Sequence, residues 1–197
     1  MGLWPTTLGR LKVTESEREN TVPSLADAAV EEAVEFVLGL SEESDRSAVI
    51  LGAVRLDLAL ERLLKQVMHH HPGGSDNLFD PDRPLGSFSA KIALSYRLGL
   101  IDHDLEHSLQ MTRWLRNDFA HSADKAYLAN SPHEDRVREL TKDLQRSDTW
   151  EEAHPAFIEK TDSKPLADFC TAMTVLIRSL EFGGIHTTVV INHPVTL

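Results

Sequence analysis

Between Ser44 and Met68 the apolar residues Val49, Ala53, Leu56, Leu60, Leu63, Leu64 and Val67 recur every three or four positions, with Arg55, Glu61, Arg62, Lys65 and Gln66 on the opposite face. That spacing is the one-sided stripe of a long α-helix, and a stripe of this length has to be covered by other helices. The chain supplies them with the same period. Ser24 can cap a first helix through about Gly39, carrying Leu25, Ala28, Ala29, Ala33, Phe36 and Val37 inward, and Ser41 and Ser44 compete to cap the long one. Ser87 begins a short helix through Leu98 with Gly99 behind it, and Asp102 opens another to about Phe119, with Leu105, Leu109, Thr112, Leu115 and Phe119 inward. Pro132 starts a charged helix to about Arg146. A polar stretch with Trp150, Pro155 and Phe157 follows, then a last helix over 165–182. The expected fold is all-α: a single-domain bundle of five to seven helices over residues 24–182. A flexible N-terminal arm (1–23) and a short tail (183–197) of β-type composition flank it.

Composition narrows the function. Of 197 residues, 31 are Asp or Glu and 20 are Lys or Arg, giving a net charge of −11 with no basic run. Duplex DNA is gripped by cations that displace condensed counterions, so the average field of this chain opposes direct DNA binding without a partner. No apolar run approaches the ~18 residues of a membrane span, and the first residues lack a basic-then-apolar secretory pattern. Cys170 is the only cysteine, which excludes an intrachain disulfide and suits a reducing cytoplasm. Set in a helix among Phe169, Ala172 and Met173, it reads as a small buried hydrophobe.

Polar groups inside the apolar stripes are the candidates for a site, because burial without a partner is costly. Arg116-Asn117-Asp118-Phe119-Ala120-His121 closes one helix, and Pro84-Leu-Gly-Ser-Phe-Ser-Ala-Lys-Ile92 opens another. Counted at 100° per residue, Arg116 falls on the side of the inward positions. The architectural reading makes Asp45, Arg46, Asp57, Arg116, Asn117, Asp118 and His121 a structural polar cluster, with Arg116 neutralised by Asp57 or Asp45 and bracing its helix against the long one. The catalytic reading gives Arg116 a phosphate to hold and His121 a proton to move, with Asn117 orienting. On an unbroken helix Arg116 and His121 lie ~140° apart, so that reading needs the helix to end or distort near Phe119, or a second subunit to supply the other half. The histidines at 69–71 diverge at a helix end. His103 and His107 share a helical face but have no identifiable third ligand, so no metal and no cofactor are expected. No P-loop, dinucleotide-binding glycine pattern or serine-hydrolase elbow is present.

Through Ser44-Asp-Arg46, the Gly52–Leu64 helix, Pro84–Ile92, Leu98-Gly-Leu-Ile-Asp102 and Arg116–Ser122, the chain resembles the mannitol operon repressor family over roughly residues 40–125. The resemblance implies an all-helical transcriptional regulator without a helix-turn-helix. With the acidic charge, it points to a non-enzymatic repressor acting through protein–protein contacts with a partner from a regulatory or sugar-uptake system. A homodimer is open, since the helical surface and the tail offer something to pair. More distantly, Arg116-Asn117-…-His121 is similar to the motif of HEPN ribonucleases, helical dimers that cleave RNA without metal. That likeness implies a metal-independent endoribonuclease or toxin component as the alternative.

Overall fold

The computed structural model of the protein describes residues 25–69, 73, 77–122 and 126–182. The arm, the tail, His70 and His71 lie outside the described residues. Within them the chain is all-helical: α1 (Leu25–Leu40), α2 (Asp45–Val67), α3 (Phe88–Arg97), α4 (His103–His121), α5 (His133–Thr141), α6 (Asp148–Lys160) and α7 (Lys164–Ile177). A 3-10 turn spans Leu144–Arg146, and α7 runs on into a π-helical turn over Arg178–Phe182. No helix among the described residues is long and apolar enough to cross a membrane.

The central element is α7. Every residue from Leu166 to Ile177 is buried, the pattern of a helix surrounded on all sides. α1, α2, α5 and α6 pack around it. Its buried hydroxyls are satisfied within the helix, Thr171 donating to the Ala167 carbonyl (2.8 Å) and Thr174 to that of Cys170 (3.0 Å). α2 buries Ala48, Val49, Ala53, Leu56, Leu60, Leu63 and Leu64 against α7 on one side and α3 and α4 on the other.

Helix starts follow local chemistry. Ser44, rather than Ser41, caps α2, its hydroxyl accepting from the Ser47 amide (3.2 Å), and Ser87 and Asp102 cap α3 and α4 in the same way. Gly99 ends α3 at φ +70°. The Leu100 amide donates to Ser95 and that of Gly99 to Tyr96, a Schellman closure that a side chain at position 99 would strain.

Three boundaries differ from the sequence expectation. The polar stretch around Trp150 is a helix, α6, capped by Ser147 and burying Trp150, Ala153 and Phe157. Pro155 sits inside it on the exposed side, where one missing amide is tolerated and the ring reaches solvent. The helix that begins near Pro132 stops at Thr141, not Arg146. α4 continues without a break past Phe119 to His121.

Candidate functional site

Among the described residues, the bonds of the polar residues singled out in the sequence gather into three clamps, and the rest lie on an exposed face.

The first clamp joins the start of α2 to the chain leaving α4. Asp45 Oδ2 accepts the Leu128 amide at 2.6 Å, and the Arg46 guanidinium donates to the Ser122 carbonyl. Because α2 begins where α4 ends, the two helices run antiparallel. The second clamp joins α4 to α5. Asp118 forms an ion pair with Arg136, and His133 stacks at a tilt on Phe119 with centroids 4.6 Å apart, its Nδ1 donating to the Tyr127 carbonyl.

The third clamp holds α3 on α2 and contains the most buried cation described. The Lys91 side chain is 3% exposed, with Nζ 2.9 Å from Glu61 Oε2 and 3.1 Å from Asp57 Oδ1. Burial pushes the Glu61 carboxyl up, but hydrogen bonds from Lys65 and Lys91 outweigh it and hold it below the usual carboxylate range. Asp57, at the border of the α2 stripe, thus has its partner in Lys91 and not in Arg116.

Arg116 is the principal correction. It is exposed, and its Nη1 donates only to the neighbouring Asn117 Oδ1 (3.0 Å), with no carboxylate partner among the described residues. Leu109, seven residues earlier and nearly in line with it, is fully buried. The difference lies in what covers each position. α3 has ten residues and α4 nineteen, about 15 Å against 28 Å of helix. Joined to α4 by a short turn, α3 can flank only its first half, and Arg116 lies beyond that cover.

The exposed face of α4 follows from its period. His103, His107, Gln110, Trp114, Asn117 and His121 are spaced alternately by four and three residues, and each is exposed or half-buried. Trp114 stands at its middle with 45% of its surface open. Gln110 receives the Arg113 Nε at 2.9 Å and donates to Glu106 at 3.0 Å, a chain that fixes the Arg113 side chain along the helix. His107 Nε2 lies 3.3 Å from Glu139 Oε1. Trp114 is an exposed aromatic that the sequence reading did not single out. Its signal was the apolar side chain on the polar face of α4. Tryptophan and arginine beside half-exposed amides have the composition of a protein-contact surface.

Since α4 is unbroken, Arg116 and His121 project ~140° apart and do not converge within one chain. Among the described residues no group of three or more His, Cys, Asp or Glu is placed to hold a metal ion. Cys170 is sealed in the core, and burial, with a smaller contribution from Asp45, pushes its thiol up to about 12.

No protein-family model and no curated protein matches the chain. Among solved structures, it is similar to a chain of the MtlR–HPr complex from Escherichia coli, with a TM-score of 0.57 and 20% sequence identity. The match covers 74% of this chain and 98% of that one. The likeness is one of fold: the chain has an MtlR-like helical architecture.

Proposed function

We propose that this protein is a non-enzymatic, cytoplasmic transcriptional regulator of the mannitol repressor type that works by binding another protein. The observation that carries the reading is the unbroken course of α4, which keeps Arg116 and His121 apart and turns Trp114, Arg116 and His121 outward. Of the residues that suggested acid–base chemistry, Asn117 and His121 therefore lie on the outward face that carries Trp114, while Arg116 leaves the helix on another side. A net charge of −11 fits partner binding better than a grip on DNA. The structural neighbour was solved with HPr, which makes HPr the first partner to test.

Titration calorimetry of HPr into the full chain is the direct measurement. Binding is expected, and Trp114→Ala weakens it at least tenfold, the loss typical of an aromatic anchor. Binding that is absent, or indifferent to Trp114→Ala, refutes the HPr contact through this face. Incubation with RNA in EDTA separates the ribonuclease alternative. Cleavage leaving cyclic-phosphate ends, lost in a folded His121→Ala variant, overturns the non-enzymatic reading altogether.

A further inference from the structure

The outer face of α2 carries an apolar stripe that nothing described covers. Leu51, Val54 and Leu58 are 42%, 46% and 45% exposed, and they make up three of the eight large hydrophobic side chains left open among the described residues. Their spacing of three and then four residues puts them in one line along the helix. Scattered exposed leucines are ordinary, whereas a straight row at the seam period is the pattern by which one helix receives another.

The two ends of the row carry opposite charge. Exposed Glu42 and Glu43 precede it, and exposed Arg62 and Lys65 follow it. Arg62 has 61% of its side chain open and only a 3.8 Å contact to Glu181. A parallel copy of α2 would set Arg62 against Arg62 and Glu43 against Glu43. An antiparallel copy, turned about a two-fold axis between Val54 and Arg55, sets Leu51 against Leu58, Arg62 against Ser47, and Lys65 against Ser44 beside Glu43. Glu42 is held by Lys160 and Lys65 by Glu61 within the chain, so the complementarity across the pair is between the open Arg62 end of one copy and the end of the other that carries Glu43, and the helix dipoles oppose.

We infer that the α2 face is a self-complementary interface, and that a second copy of this chain docks on it antiparallel through Leu51, Val54 and Leu58. A three-residue row is a small core for an isologous contact, so the dimer is weak and forms in the micromolar range or above.

Sedimentation of the full chain from micromolar to sub-millimolar concentration reads the association. The average mass should rise toward twice that of the monomer, and raised salt should lower it. Leu58→Glu and Val54→Glu replace exposed side chains, so folding is retained and checked by far-ultraviolet circular dichroism. Each should weaken association at least tenfold, and either one suffices if the other fails to fold. Orientation is read by oxidative cross-linking. Leu51→Cys chains mixed with Leu58→Cys chains should form a mixed disulfide, while Leu51→Cys alone should not. Buried Cys170 does not compete. A monomer at every concentration overturns the inference and leaves the row to a different occupant. Association untouched by both glutamate variants, or a cross-link of Leu51→Cys to itself, overturns it equally.

Discussion

Replacing Lys91 by methionine is the sharpest perturbation the structure offers. The side chain is 3% exposed, with Asp57 Oδ1 at 3.1 Å and Glu61 Oε2 at 2.9 Å. At an effective dielectric of 20 each contact near 3 Å is worth about 5 kcal/mol before desolvation, and several kcal/mol per ion are then given back. Methionine keeps the volume and removes the charge, so Asp57 loses its cation and Glu61 is left with Lys65 alone, at 2.6 Å. Removing one partner of a fully buried pair costs about 3–5 kcal/mol. Here Asp57 and Glu61 keep 29% and 21% of their side chains open and can recover water, which lowers the expected loss to about 2–4 kcal/mol. Urea unfolding at neutral pH measures it. The double variant Lys91→Met, Asp57→Asn should recover most of the loss, since the unpaired charge is gone and Glu61 keeps Lys65. Acidity gives an independent check. The folded Glu61 carboxyl lies below its unfolded value of about 4.3, so its stabilisation is complete above that pH and lost as the pH falls through the lower, folded value. Lys65 stays on Glu61 in the variant, so wild type should lose on acidification the share of its margin over Lys91→Met that Lys91 supplies. A loss under ~1 kcal/mol at neutral pH, or a margin that does not shrink in acid, would refute the argument that this pair ties α3 to α2.

Three further outcomes follow from the packing. A Cβ on Gly52 would lie 2.9 Å from Met173 Sδ and 3.4 Å from Phe169 Cε1, so Gly52→Val should cost about 1–3 kcal/mol in urea melts by forcing α2 off α7. Asp45→Ala deprives the Leu128 amide of its 2.6 Å acceptor and should destabilise by about 1–3 kcal/mol, with faster hydrogen exchange at that amide as the specific readout. Cys170, fully buried with its thiol pushed up to about 12, should stay unlabelled by thiol reagents at neutral pH and react fully in denaturant; labelling of native protein would show that the core opens there.

Much of the architecture was legible because it rests on period and caps. α2, α3, α4 and α7 fall where their apolar stripes and the residues Ser44, Ser87 and Asp102 place them, with shifts of a few residues at the ends. α6 was missed because Pro155 normally marks a helix end. The competing signal was present in Ser147 as cap and in Trp150, Ala153 and Phe157 at helical spacing. The all-helical class and the MtlR-like architecture agree with the resemblance read from residues 40–125.

The candidate site was less legible, and the contrast between Arg116 and Lys91 shows why. Both are lone cations on or beside an apolar stripe, and the sequence reading assigned the buried ion pair to Arg116. A helical wheel fixes the centre of a stripe, but its edges depend on how far the neighbouring helices extend. Lys91 lies with Ile92 and Ser95 on the buried side of α3, which packs on α2 and α4, so it is enclosed and must be paired. Arg116 lies two turns beyond the buried Leu109, past the reach of the short α3, so its charge stays in water and needs no partner. The acid that borders the α2 stripe, Asp57, could not distinguish these cations from its own helix. The lengths of α3 and α4, set by Ser87, Gly99 and Asp102, could have done so. Reach of the covering helix, added to the period of the covered one, is therefore what separates a structural cation from a surface one in this fold. By that criterion the outward groups on α4, and the open row on α2, are where the protein has surface left for partners.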